Sequence, residues 1–238
     1  MSITWQKVKA GTALLLGALE GVDVSTADTN YQAALSTSNT RDPNFPPTAI
    51  LDACVDAVMQ IAQAICESDD HPETPSFYQD SSAITSGSAI PTVNSAGTVP
   101  RIGPIRRVKD NSDGKTLSQT EVNKVRDYNA LSGSVFNNIP LYWYAVDGNT
   151  LEHTRTSVIV NFCGFSRATI TANIGSTDVI PLNDQYERLI IMGAVSQLAQ
   201  RESMFGELQQ NANQEFQAGL NLIRGGPVKV QDDDANIQ

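Results

Sequence analysis

The sequence predicts an α+β protein, a helical bundle with a long C-terminal helix and an inserted antiparallel β-meander domain. Two observations predict this class. Apolar residues recur every three or four positions in residues 47–66 and 184–224, which is typical of amphipathic helices. Residues 99–180 instead carry short apolar runs separated by turn residues, which is typical of strands. Because the strands lie between the helical stretches, we expect them to form an insertion.

A chain of 238 residues is long enough for one domain that carries a large insertion. We predict four segments: an N-terminal helix and polar linker in residues 1–46, a helical domain from residues 47–72 and 183–224, a β-rich insertion in residues 73–182, and an extended tail in residues 225–238. The first helix is predicted over residues 4–20, with Gly21 as its C-terminal cap. Pro47 suits the first position of the second helix.

Turn and capping residues organise the predicted β-rich insertion. Strands are predicted at residues 99–108, 139–146, 149–154, 157–163 and 168–174, with a turn at residues 111–114. Asp147-Gly148 between two strand-like runs predicts a hairpin. Ser118 and Glu121 have the spacing of a capping box, which predicts a short helix from Ser118 to Tyr128.

The last helix is predicted to run from Asp184 to Arg224, about 60 Å at 1.5 Å per residue. Gly225, followed by Gly226-Pro227, predicts its end, and Gly206 beside Ser203 is a candidate site for a kink or a split. Its second half is rich in amide side chains with only a thin apolar seam, which favours packing against other copies of the chain. The amides are Gln209, Gln210, Asn211, Asn213, Gln214 and Gln217.

The formal net charge of −10 argues against binding nucleic acid by bulk attraction, which needs a positive surface. Seven of the sixteen basic residues nevertheless fall within residues 101–126. They indicate either contact with an acidic partner or DNA, or a solvated strand and helix face. An acidic subunit with one basic patch can dock head-to-tail with its own copies in a ring.

The three cysteines do not predict disulfides. Cys54 and Cys66 share one predicted helix and lie roughly 18 Å apart along it, beyond disulfide reach. We expect all three thiols to be reduced and to serve as small apolar groups. Cys163 and His153 are a conceivable nucleophile and base, but nothing in the sequence orients either, and core packing explains Cys163 on an apolar strand.

Other candidate chemistry has simpler explanations. The acid-rich turn around His71 is either a weak cation site or a solvated helix end. Helix capping explains Asp184 and Glu187 better than a paired-carboxylate site with Asp178 does. Residues 142–144 suit base stacking or, more simply, core and interface packing. No P-loop, nucleophile elbow, His-Glu-x-x-His or Cys-x-x-Cys motif is present, so we expect no catalysis, cofactor or metal.

The apolar run at residues 13–19 is too short to span a bilayer, and acidic residues follow it directly, so we expect no membrane partner and no targeting signal.

Several patterns together resemble one family. They are Pro140 before an aromatic strand, Asp147-Gly148 before the β-meander, residues 179–187 opening a long helix, and the helix at residues 50–65 before His71-Pro72. The combination resembles the adaptor subunits of tailed bacteriophages, also called head-tail connector or head-completion proteins. The resemblance covers about residues 47–224, and the first 46 residues match no pattern of this family.

The resemblance implies a virion protein at the head-tail junction, assembled in the host cytoplasm. It implies a homo-oligomeric ring, usually a dodecamer, that docks beneath the portal protein and lets DNA pass during ejection. The tail from Val228 to Gln238 is expected to contact the portal, through Val228, Val230 and Ile237. Sibling subunits, tail nozzle or tail fibre proteins are expected to contact Arg101, Arg106, Arg107, Lys109, Phe205, Phe216 and Leu220.

Three alternatives remain open. The chain could be another neck or tail subunit, such as a stopper or tail terminator. It could be a host- or carbohydrate-binding β module on a helical stalk, or a hydrolase that uses Cys163 or Asp178.

Overall fold

The structure, a computed structural model, describes residues 3–17, 45–68, 74–131, 141–171 and 179–225. The chain divides into two compact units. The helical unit comprises Met1–His71 and Arg167–Gln238, and the β-rich unit comprises Pro72–Ser166. The predicted α+β class is therefore confirmed. The β-rich unit ends at Ser166, well before the predicted end of the insertion at residue 182.

The described residues form helices and strands in the following order. The helices are α1 (Trp5–Leu15), α2 (Pro47–Glu67), α3 (Val122–Ala130), α4 (Arg167–Thr171), α5 (Glu187–Leu198) and α6 (Gly206–Ile223). The strands are β1 (Tyr78–Asp80), β2 (Ser88–Ala89), β3 (Arg101–Asp110), β4 (Ser118–Gln119), β5 (Trp143–Asp147), β6 (Thr150–His153) and β7 (Val158–Gly164).

In the helical unit, α5 packs against α1, α2 and α6. The apolar face of α2 is buried as its periodicity predicts, and Pro47 occupies the first helical position. Gly193 lets the helices approach closely, because a Cβ atom there would lie 2.7 Å from the Phe216 ring and 2.8 Å from the Ala57 Cβ atom. This close contact places the core of the unit between α2, α5 and α6.

Two helix predictions for this unit are wrong in extent. Helix α1 ends at Leu15, and Gly17, with φ of 64°, follows it where left-handed backbone is needed. Gly21 lies outside the described residues. The single helix predicted from Asp184 to Arg224 is two helices joined by 3₁₀ turns. Its break falls at Glu202, whose extended backbone (φ −133°, ψ 127°) interrupts the helical hydrogen bonds, while Gly206 begins α6.

The β-rich unit contains two sheets rather than one meander. One has the strand order β1-β7-β3, and the other has the order β2-β6-β5-β4. Strand β7 is central and pairs antiparallel with both β1 and β3, although β3 and β7 are far apart in the chain. The core of the unit comprises Val108, Leu117, Leu151, Val158, Val160 and Phe162.

The predicted hairpin is confirmed, since Asp147 pairs with Thr150 across a two-residue loop in which Gly148 has φ of 59°. The predicted capping box is wrong. Ser118 lies in β4, which pairs in parallel with β5, and α3 starts only at Val122.

The strand predicted at residues 168–174 is also wrong. Residues Arg167–Thr171 form helix α4, which packs on α2 in the helical unit. A short apolar run fits either structure, and packing against α2 favours the helix here.

Candidate functional site

The four basic residues predicted to form an interface lie on β3, at the edge of the three-stranded sheet: Arg101, Arg106, Arg107 and Lys109. They do not form one patch. The register pairs Arg107 with Asn161 and Arg101 with Gly164 on β7. The register shifts twice between Ile102 and Arg107, so the faces are set by the partners on β7, where side chains alternate. Arg107 and Lys109 pair with Asn161 and Ile159 on one face of the sheet, and Arg101 pairs with Gly164 on the other. Within the described part of the chain, neither Arg107 nor Lys109 forms an ion pair.

The other basic residues of this segment are neutralised within the β-rich unit. Lys115 lies 3.5 Å from Asp113, and Lys124 lies 3.4 Å from Glu121. Arg126 bonds Asp147 and Glu152, at 2.7 and 3.1 Å. The predicted basic surface is therefore reduced to the cations on β3.

Three apolar interface candidates lie in or beside the core of the helical unit. Phe216 and Leu220 are each only 2% exposed, on the face of α6 that packs inward. They stabilise the unit itself, so the expectation that they contact another subunit is corrected. Phe205 is half-buried, and its ring packs edge-to-face on Phe45 with centroids 5.9 Å apart.

The outward face of α6 carries an uncharged polar stripe, which we call the amide stripe. Its members recur at helical spacing, and all are exposed: Gln210, Gln214, Gln217 and Asn221. The stripe lies opposite the buried seam that contains Phe216. Amide side chains both donate and accept hydrogen bonds, so this face can bond to an identical face without charge repulsion.

A groove of about 620 Å³ lies in the helical unit between the start of α5 and the end of α6, and sequence reasoning missed it. We call it the α5–α6 groove. Its lining residues are Gln185, Tyr186, Arg188, Leu189, Glu215, Ala218, Gly219, Leu222 and Ile223. A Cβ atom at Gly219 would collide with Leu189, so glycine sets the close approach of the two helices. The small residues Ala218-Gly219 are the sequence feature that indicates a close contact between helices here.

The groove is apolar inside and charged at its rim. Leu222 is 64% exposed, whereas Tyr186 and Ile223 are buried. Arg188 Nη2 donates to Glu215 Oε2 at 3.0 Å, and this hydrogen bond holds the pKa of the Glu215 carboxyl below its ordinary value. Such a surface suits an apolar segment flanked by charged residues.

The three residues expected to contact the portal, Val228, Val230 and Ile237, lie outside the described residues, as do His71 and Asp178. The described chain ends at Gly225, directly after α6.

The thiols show no sign of activation. All three cysteines are buried. Burial raises the pKa of the Cys54 thiol to about 12, which keeps it protonated. Cys163 lies on β7, in the three-stranded sheet, and His153 lies on β6, in the other sheet. No group of three or more metal-ligating side chains occurs among the residues described.

Buried ionisable groups of the β-rich unit were not predicted. Asp110 is 3% exposed and accepts hydrogen bonds from Arg155 Nε, Ser112 N–H and Ser112 Oγ. Burial alone raises the pKa of Asp110, but these donors outweigh it, and the pKa lies below its ordinary value. His153 is 1% exposed, and neither ring nitrogen has a hydrogen-bond partner in the described structure. Burial therefore lowers its pKa.

Tyr142 does not form an open base-stacking surface. Lys115 Nζ and Arg155 Cζ lie 4.9 and 4.7 Å from the centroid of its ring. Its hydroxyl donates a hydrogen bond to Asp113 Oδ2 at 2.6 Å. These contacts tie the turn after β3 to the start of β5 and occupy the aromatic face.

One described helix, at Thr48–Glu67, has the length and hydropathy of a membrane span, and 61% of its apolar window is buried in the protein. A core helix of a soluble protein has the same properties.

The chain matches no protein-family model and no curated protein.

Proposed function

We propose that this chain is a structural subunit without catalytic activity, which assembles with its own copies into a ring between a phage portal and the tail. DNA passes through the ring. The proposal rests on the resemblance of residues 47–224 to adaptor subunits. One structural observation, the amide stripe of α6, supports self-association.

The amide stripe supports self-association because of what surrounds it. Each copy carries a net charge of −10, so copies repel one another wherever acidic faces meet. The stripe presents four uncharged amides on a regular helix. Amides of neighbouring copies can donate hydrogen bonds to one another and accept them. This is a face at which identical acidic subunits can approach.

The charge also supports passage of DNA rather than binding. Each phosphate contact needs a cation that releases counterions, and a ring of acidic subunits offers few. Three of the seven cations of the basic segment pair with carboxylates of the same unit: Lys115, Lys124 and Arg126. DNA therefore slides along the channel without adhering.

Native mass measurement of the purified chain, alone and with the portal protein, tests the proposal. A large ring, formed alone or on the portal, is expected. A trimer would favour a fibre or receptor-binding protein. A monomer with hydrolytic activity that is lost in Cys163→Ala would favour an enzyme.

Charge placed on the amide stripe tests the interface itself. The triple change Gln210→Glu, Gln214→Glu and Gln217→Glu is expected to prevent ring formation, because like charges then meet between copies. The matched control adds the same charge at exposed amides elsewhere, through Asn123→Asp, Asn149→Asp and Gln200→Glu. Rings that form equally well in both variants would remove the stripe from the proposal.

A further inference from the structure

The α5–α6 groove lies where the described chain ends. Leu222 and Ile223 line the groove, and α6 ends at Ile223. Gly225 has φ of 72°, and its N–H donates to the Leu222 carbonyl at 3.1 Å. This left-handed cap after a helix redirects the chain. The thirteen residues that follow, 226–238, therefore start beside an open apolar groove.

We propose that residues 227–231 of the same chain occupy the α5–α6 groove of the free subunit. Val228 and Val230 follow Ile223 by five and seven positions. At no more than about 3.6 Å per residue, both reach the groove without leaving their own chain. This goes beyond the ring proposal, since it concerns the isolated chain.

The sequence of this segment fits the groove. In an extended segment, valines at alternating positions share one face and Lys229 takes the other, so one apolar face is available to the groove. The segment carries Lys229 between the two valines and the acidic run Asp232-Asp233-Asp234 beyond them. The rim carries both signs as well, at Arg188 and Glu215. Because the two rim charges pair with each other, the apolar contacts inside the groove favour docking of the segment.

Trypsin cleavage after Lys229 tests the proposal on the full chain. The reference is a synthetic peptide of residues 226–238, which is cleaved at the intrinsic rate. A docked segment is cleaved only when it opens, so we expect cleavage in the full chain to be at least about tenfold slower than in the peptide. Mass spectrometry separates this cut from any cut after Arg224.

Two variants remove the docking from opposite sides. Leu222→Asp puts a charge in the groove, and Val228→Ser with Val230→Ser removes the apolar contacts of the segment. Each is expected to bring the cleavage rate within about twofold of the matching free peptide. Met204→Asp is the control, because Met204 is 79% exposed at the other end of α6, and it is expected to leave the protection unchanged.

Wild-type chain that is cleaved as fast as the peptide would overturn the proposal. So would protection that Leu222→Asp and Met204→Asp reduce equally. The protection is expected to stay constant over a roughly hundredfold range of protein concentration, as for an intramolecular contact. Protection that rises with concentration would overturn docking within one chain and assign the groove to a neighbouring copy. The assay contains no portal and reads no ring, so its failure leaves the ring proposal standing.

Discussion

The helical unit and the β-rich unit bury polar groups in different ways. In the helical unit, the buried hydroxyls of Thr12 and Ser196 donate to carbonyl groups of their own helices, at 2.8 Å each. The β-rich unit instead buries ionisable side chains, at Asp110 and His153. The Asp110 carboxylate accepts from several donors, whereas neither ring nitrogen of His153 has a hydrogen-bond partner in the described structure.

The two units should therefore respond to different perturbations. The helical unit is stabilised by apolar burial, so loss of volume should affect it most. The β-rich unit depends on charges buried between segments distant in sequence, so loss of a partner or a change of pH should affect it. The two tryptophans allow each unit to be followed separately, because Trp5 lies in the helical unit and Trp143 in the β-rich unit.

The largest effect is expected from Phe216→Ala in the helical core. Phe216 is 2% exposed and packs where Gly193 brings α5 close, so the change leaves a cavity. The free energy of unfolding should fall by about 3–5 kcal/mol. Denaturant unfolding followed by Trp5 fluorescence measures it in a Trp143→Phe background. Met204→Ala, at a 79% exposed position, is the control, and an equal loss there would contradict the core assignment.

Asp110→Ala is expected to be the most costly of the polar changes in the β-rich unit. It leaves the half-buried Arg155 guanidinium and the Ser112 N–H without their acceptor. The free energy of unfolding reported by Trp143 should fall by about 2–3 kcal/mol. Asp147→Ala, which breaks the exposed pair with Arg126, should cost less than about 1 kcal/mol. Equal losses would show that burial of Asp110 contributes nothing.

Mild acid is expected to destabilise the β-rich unit through His153. Its pKa in the folded state is lowered by burial, so the unfolded chain takes up the proton first. The free energy of unfolding of the β-rich unit should therefore be constant above about pH 6.5 and fall below it, by at most about 1.4 kcal/mol per pH unit. The backbone groups of Arg155, Ile84 and Thr85 near the ring and the Glu152 charge act in the opposite direction on the pKa of His153, but burial outweighs them.

Urea unfolding at pH 7.5 and 5.5 checks this prediction, with Trp143 and Trp5 read separately. His153→Leu should remove the pH dependence of the Trp143 signal. The Trp5 signal should change little over this range. A pH dependence that survives in His153→Leu would assign it to another group.

The smallest effect is expected from Arg167→Ala in the helical unit. Arg167 bonds Asp52 and Asp56 at 2.8 and 2.5 Å, but all three side chains are exposed. Exposed pairs contribute less than about 1 kcal/mol and are screened by salt. The change in the unfolding midpoint should therefore disappear at high salt. A loss like that of Phe216→Ala would mean that this unit, too, depends on charge.

Elements set by neighbouring residues were predictable. The 3.6-residue period of α2 and the Asp147-Gly148 hairpin needed only a local pattern. Elements that depend on distant packing were predicted wrongly. Ser118 pairs with β5 rather than capping a helix, and Arg167–Thr171 packs as a helix on α2.

The interface candidates divide in the same way. The order of residues along the chain was enough to predict the acidic charge, the cluster of basic residues and the amide-rich final helix. It could not show that Arg126 is paired, that Phe216 is buried, or that Gly219 lies against Leu189 where α5 and α6 approach closely. Those facts depend on which distant segments meet.

Local spacing was sufficient to establish an α+β chain with an apolar second helix, a hairpin and a charge-poor final helix, because backbone preference and side-chain periodicity act over a few residues. Packing between distant segments alone decided the pairing of β3 with β7 and the groove between α5 and α6. These features are set by contacts between residues far apart in the chain, which no local pattern encodes.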